Sequence, residues 1–206
     1  MKTLRIEAGN IKETAELLKQ GKVVAFPTDT VYGLGVVYDN EEALNNLKIA
    51  KTRDEGKPIP FMIADLAIIK EVAKVGKTQL ALMNAFMPGA CTLILEKKDT
   101  LASYISNGLP TLGVRMPSDE YTLELIRAVG KPLLVTSANI SGQKTGTTSQ
   151  EVIQQLDGRI DAIVLGKSGL GIASTIIDAT TNKPKIIREG TISQQDINEV
   201  LRIEEN

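Results

Sequence analysis

A few short stretches concentrate the hydroxyl and cationic side chains. In VAFPTDTVYGLG, Val24 to Gly35, an apolar run gives way to Thr28, Asp29, Thr30 and Tyr32. Pro27 removes a backbone donor there, and Gly33 and Gly35 permit a tight turn or a close approach to a ligand. Side chains of this kind can offer hydroxyls and a carboxylate inward, or simply satisfy their own turn. In KTRDEGKP, Lys51, Arg53 and Lys57 follow Lys48 closely. A guanidinium fork grips two oxygens and an ammonium adds a movable point charge, so this stretch can clamp a polyphosphate. As an ordinary helix end, the same cations would complement the helix dipole.

Arg115, in GLPTLGVRMP, ends an otherwise apolar run. A buried arginine requires an anionic partner, either a ligand or a structural carboxylate such as Asp119 or Glu120. VTSANISG brings Ser137, Asn139 and Ser141 into a turn whose amides and hydroxyls suit an anion, or an ordinary helix cap. GIASTIID adds Ser174 and Thr175, and IIREG adds Arg188 before Gly190. Hydroxyls and cations on several strand ends suit a substrate with several anionic groups.

What the chain lacks narrows the chemistry. With no histidine and a single cysteine, Cys91, it has no Ser-His-Asp or Cys-His nucleophile, no histidine metal site and no disulfide framework. Cys91 reads as a small buried hydrophobe. Lys and Arg number 24 against 25 Asp and Glu, so no overall basic excess tracks a nucleic-acid backbone. Aromatics at 3%, with no Trp, leave few platforms for stacking bases. MKTLRIEAGN carries no apolar signal core and no run reaches membrane-spanning length, so the expectation is a cytoplasmic protein without a membrane segment. GKS at Gly166–Ser168 has Asp161 where a phosphate loop needs its first glycine. GLGVVY and GLGIAS both lack the third glycine of a dinucleotide fingerprint.

The elements that must position these residues alternate. Asn10 with Glu13 caps ETAELLKQ, which Gly21 ends. Asp39 with Glu42 caps EALNNLKIAK, Asp65 caps LAIIKEVAK, Thr78 caps QLALMNAF, Thr148 with Glu151 caps a further helix, and Ser193 starts QQDINEVL. Between them VVAF, CTLILE, TLGVRM, PLLVTS, DAIVLG, STIIDA and KIIRE read as short strands. The expectation is an α/β fold, one domain over residues 1–206 with a core from about 8 to 201, built on an open mixed sheet with flanking helices and ligands at strand ends.

The ordered set FPTDTVYGLG, KTRDEGKP, PGACTLIL, GVRMP, TSANISG, STIID and IIREG resembles the YrdC-like threonylcarbamoyl-AMP synthases, from about Leu17 to Gly190. The chain looks like the short, single-domain form. The resemblance implies a large concave cleft and the conversion of L-threonine, bicarbonate and ATP to threonylcarbamoyl-AMP and pyrophosphate. The product then serves tRNA threonylcarbamoyladenosine modification through separate transferase partners. By similarity, Thr30, Arg115 and Ser174 contact threonine or its carbamate, while Arg53, Lys57, Thr111, Ser137, Thr145 and Arg188 contact ATP. Lys51 with Arg53 matches the family's Lys-x-Arg pair and is the candidate catalytic group. Mg²⁺ is expected to arrive with ATP, with no dedicated metal site. A monomer is expected, with at most weak contact to tRNA or other RNA. Two positions depart from the pattern: Met62 replaces a histidine that many relatives carry, and PGACT replaces PGPLT. The alternative reading is an RNA-binding module that uses a concave basic surface without catalysis.

Overall fold

The structure is a computed structural model that describes residues 2–52 and 56–205, the last three of these as backbone only. In chain order the elements are β1 (Leu4–Ile6), α1 (Ile11–Lys19), β2 (Val24–Phe26), β3 (Gly33–Val37), α2 (Glu41–Lys51), β4 (Phe61–Met62), α3 (Ala67–Val72), α4 (Lys77–Phe86) and β5 (Cys91–Glu96). After a 3₁₀ turn, Ser103–Ser106, come β6 (Thr111–Arg115), α5 (Glu120–Val129), β7 (Leu133–Ser137), α6 (Ser149–Leu156), β8 (Ala162–Val164), β9 (Thr175–Asp178), β10 (Lys185–Arg188) and α7 (Gln194–Glu205).

Local chemistry sets most helix starts. Asn10 Oδ1 accepts from the Glu13 amide at 3.3 Å, and Thr148 and Glu151 form a reciprocal capping box. Ser193 and Asp196 do the same ahead of α7. Two starts differ from the sequence expectation. Asn40, not Asp39, caps α2 by accepting from Ala43 N, while the Asp39 carboxylate turns away to Lys131 at 2.6 Å. Helix α4 begins at Lys77, where Gln79 Oε1 accepts from Gly76 N, so Thr78 lies inside it.

All ten strands join one mixed sheet in the order β1-β8-β2-β3-β7-β4-β6-β5-β9-β10. Side chains alternate between its faces. Val23, Ala25, Leu34, Val36, Phe61, Leu93, Leu95, Leu112, Val114, Leu134, Ile163 and Ile177 point to one side. There they meet Leu44 and Leu47 of α2, Ile69 and Val72 of α3, Leu82 and Met83 of α4, Val152 and Leu156 of α6 and Ile197 of α7. That face is covered along most of the sheet.

The opposite face is covered only in part. Val24, Phe26, Leu133, Val135, Ala162 and Val164 pack under Ala15 and Leu18 of α1 and Leu125, Ile126 and Val129 of α5. This helix pair spans β1, β8, β2, β3 and β7 and reaches no farther than Met62 of β4. Beyond it, Pro60 just before β4, Gly113 of β6, Ile94 of β5 and Ile176 of β9 lie on this face with no helix above them among the described residues and remain partly exposed. The sheet therefore carries an open floor beside a covered one.

One expected loop is a strand. Gly33–Val37 forms β3, paired antiparallel with β2 and β7. Its glycines serve packing. A Cβ on Gly33 would lie 2.9 Å from Val135 Cγ1, and one on Gly35 would lie 2.8 Å from Phe26 Cε1. The aromatic ring of β2 fills the space those side chains would occupy. Among the described residues, no helix is long and apolar enough to cross a membrane.

Candidate active site

A cavity of about 200 Å³ opens where the helix-covered part of the sheet gives way to its open floor. Its walls come from separate strand ends: Thr28 and Thr30 after β2, Pro58, Pro60 and Met62 along β4, and Thr92 on β5. Arg115 closes β6, Ser137 closes β7, Ser174 precedes β9 and Arg188 ends β10. Its inner residues are buried, with Thr28, Thr30, Met62, Thr92, Arg115 and Ser174 all under a tenth exposed, whereas Arg188 stands at the rim in solvent.

The opening loop folds on itself and onto its neighbours. Thr28 Oγ1 donates to Val31 O at 2.8 Å and lies 3.1 Å from Thr30 Oγ1. Tyr32 does not face the cavity with its hydroxyl, which donates to Val164 O at 2.8 Å. Burial pushes that phenol up to about 12, so it stays protonated. The glycine-rich segment after β8 runs alongside this loop as a backbone ladder, Gly169 N to Thr28 O, Leu170 N to Asp29 O and Gly171 N to Thr30 O.

Asp29 has a particular place. Its Oδ1 takes a 2.5 Å ion pair from an Arg115 terminal nitrogen, and its Oδ2 accepts from the Ser118 amide and hydroxyl. Its own amide donates to Asp119 Oδ1, and Asp119 also caps α5 through Thr122. The structural partner of Arg115 is thus Asp29, from a loop distant in sequence, and neither Asp119 nor Glu120. Arg115 still holds an unused donor, since its Nε is buried with no partner.

On the far wall, Thr92 Oγ1 and Ser174 Oγ lie 2.9 Å apart. Arg188 reaches over them, its terminal nitrogen 2.7 Å from the Ser174 carbonyl oxygen and 3.2 Å from its hydroxyl. No carboxylate among the described residues pairs with Arg188. Partial burial and, secondarily, the positive charge of Arg115 hold its guanidinium below its ordinary pKa. Two arginines that repel each other across one small cavity make a site receptive to an anion.

The other expected site residues take different places. Lys51 is buried behind the Ser137 wall, where its ammonium donates to the Ser137 carbonyl and, at 2.7 Å, to the Asn139 carbonyl. Thr111 shares the face of Gly113 and Arg115 but opens β6 roughly 13 Å along the strand, on the open floor beyond the cavity. Thr145 is half-buried in the segment before α6, and Lys57 is exposed next to the cavity-lining Pro58. Arg53 lies outside the described residues.

Thr92, on the cavity wall within the PGACT variation, is not legible as a site residue along the chain. Asp29, a carboxylate that the opening loop can offer inward, shows its partner only once β2 and β6 are brought together. Cys91, next to Thr92 but on the covered face, is fully buried, and burial raises its thiol to about 12.

Hydroxyls and two arginines that converge from strand ends of an α/β sheet beside an uncovered floor make a cavity chemically suited to small anions. The Sua5/YciO/YrdC family, described as telomere recombination, matches residues 16–190, and this chain belongs to it. The threonylcarbamoyl-AMP synthase of Bacillus subtilis (strain 168) is 39% identical over 194 residues, which is 93% of this chain and 56% of the relative. The crystal structure of Pyrococcus abyssi Sua5 complexed with L-threonine superposes with a TM-score of 0.90 at 33% identity, over 97% of this chain and 61% of that one. Escherichia coli YciO gives a TM-score of 0.85 at 26% identity, over 95% of this chain and 98% of that one. The chain thus spans a little over half the length of the synthase it matches.

Proposed function

We propose that this chain is a threonylcarbamoyl-AMP synthase, converting L-threonine, bicarbonate and ATP to threonylcarbamoyl-AMP, pyrophosphate and water. The observation that carries this reading is the convergence of Thr30, Arg115, Ser137, Ser174 and Arg188 on one cavity beside an open floor. The names of the relatives, and the L-threonine in the Pyrococcus abyssi Sua5 structure, support it.

The amine of threonine attacks the carbon of bicarbonate, a C–N bond forms, and water leaves, giving a carbamate. A carbamate oxygen then attacks the α-phosphorus of ATP, and the bond from that phosphorus to the bridging oxygen of the β-phosphate breaks as pyrophosphate departs. The substrate supplies its own nucleophile. This fits a site without an activated serine, cysteine or histidine, where catalysis consists of holding two anions in line and stabilising charge.

Arg115, Thr30 and Ser174 hold the threonine carboxylate and carbamate in the buried inner part. Ser137, Arg188 and Lys57 receive the nucleotide at the rim, with Thr111 and Thr145 farther out and Arg53 as a partner on the phosphates. Lys51 holds the Ser137 and Asn139 carbonyls that shape the wall. Each hydrogen bond to a charged group contributes about 1.5–3 kcal/mol, so a few of them retain a triphosphate. Mg²⁺ enters on that triphosphate as part of the substrate. Among the described residues no cluster of carboxylates forms a separate cage. The product passes to a transferase that acts on tRNA.

The test is pyrophosphate release in the presence of ATP, Mg²⁺ and bicarbonate with each amino acid in turn. Release that requires both bicarbonate and threonine supports the assignment. Release independent of any amino acid, or none with all substrates present, overturns it.

A further inference from the structure

Beyond the groups that touch substrate, we propose that Asp29 is a positioning residue that fixes the Arg115 guanidinium in the pose that binds the amino-acid carboxylate. This rests on the synthase reading above.

The geometry of the pair is unequal. Asp29 and Arg115 are both buried, with side chains 9% and 8% exposed, and Asp29 gives Arg115 only one oxygen. Its second oxygen is taken by the amide and hydroxyl of Ser118, so the carboxylate is pinned from both ends. A carboxylate free to swivel could form a bidentate pair with the Nε edge of the guanidinium and use up that donor. Pinned as it is, Asp29 occupies a single terminal nitrogen, and Arg115 Nε remains buried without a partner. Arg115 thus lines the cavity with that donor unspent.

Charge adds a second reason. Arg115 and Arg188 repel across the cavity, and Arg188 has no carboxylate of its own among the described residues. The negative charge of Asp29 keeps Arg115 from being driven out of the cavity before an anion arrives. Because the Asp29 amide is held by Asp119 at the start of α5, the pair is referenced to a rigid element.

The test separates positioning from general support. L-Threonine and, separately, ATP are titrated calorimetrically into the wild type, Asp29→Asn, Arg115→Ala and the double variant, with thermal midpoints recorded for all four. The expected result is a dissociation constant for threonine raised about tenfold in Asp29→Asn, ATP affinity within twofold of wild type, and a double variant no weaker for threonine than Arg115→Ala alone. Equal threonine affinity in Asp29→Asn and wild type overturns the proposal. So does an additive double variant, or a parallel loss of threonine binding, ATP binding and thermal midpoint. Failure of the synthase reading is a different pattern: wild type that takes up threonine but releases no pyrophosphate, in which case the titration still reports on Asp29.

Discussion

Arg188 grips Ser174 at two points, its terminal nitrogen 2.7 Å from the serine carbonyl and 3.2 Å from the hydroxyl that Thr92 also meets. An edge-strand cation therefore orients a hydroxyl on the cavity wall. Arg188→Lys keeps the charge but loses the planar fork of Nε and terminal nitrogen that holds the Ser174 carbonyl oxygen. The expected outcome is a 10- to 100-fold loss of catalytic efficiency, about 1.4–2.7 kcal/mol, seen whether threonine or ATP is varied because Ser174 is slackened as well. Wild-type kinetics of pyrophosphate release would remove Arg188 from the site.

Lys51 makes a contrasting case. Its ammonium sits behind the wall on the carbonyls of Ser137 and Asn139, so its substitution acts on the shape of the site. Lys51→Met leaves those acceptors facing an apolar tip, at a cost of roughly 2–5 kcal/mol. The denaturant midpoint should drop together with turnover. An unchanged midpoint with abolished turnover would instead give Lys51 a purely chemical role.

Much of this arrangement can be read along the chain, and the rest escapes for identifiable reasons. The capping pairs Asn10–Glu13 and Thr148–Glu151 act within one helical turn, so composition reveals them. The strand that ends in Arg115 shows itself by an apolar run closed by a charge. Strand β3 does not, because Gly33 and Gly35 read as turn residues, while their role depends on Phe26 and Val135 from neighbouring strands. Helix α5 is missed, and with it the role of Asp119 as its cap. The Asp29–Arg115 pair joins residues 86 positions apart, and no local pattern encodes such a meeting. Lys51 looks like an exposed helix-end cation, and only the return of the loop after β7 shows that it is enclosed.

Buried acidic protons give the fold a defined response to alkali. Cys91 is raised from 9.0 and Tyr32 from 10.0, each to about 12, in both cases chiefly by burial. When unfolded, each group releases its proton near its ordinary pKa; when folded, it retains the proton to near 12. Their contribution to stability is therefore complete below pH 9 and is lost progressively between 9 and 12. Each adds a decline of up to about 1.4 kcal/mol per pH unit in that window. Denaturant midpoints measured at pH 7, 9 and 10.5 should stay level and then fall, and Cys91→Ala should make the fall shallower. A slope unchanged by that substitution would show that the thiol does not titrate with unfolding. At pH 8 Cys91 should resist alkylation until denaturant is added.

The two glycines that run beside the opening loop should respond unequally to alanine. A Cβ on Gly169 would lie 2.3 Å from the Asp29 carbonyl oxygen and 3.0 Å from its carbon, and backbone cannot yield as a flexible side chain does. The ladder from Gly169 N to Thr28 O and from Leu170 N to Asp29 O would have to open, which shifts Thr28, Asp29 and Thr30 together. Gly171, at φ +72°, meets only Thr147 Cγ2 at 3.6 Å, so alanine there incurs left-handed backbone strain of about 1–2 kcal/mol and little else. Gly169→Ala should therefore lose about 2–4 kcal/mol of stability and weaken threonine binding, by overpacking against a fixed neighbour. Gly171→Ala should lose less and keep threonine affinity. Chemical denaturation and threonine titration of the two variants decide it, and the reverse ranking would mean that this ladder does not hold the cavity wall in place.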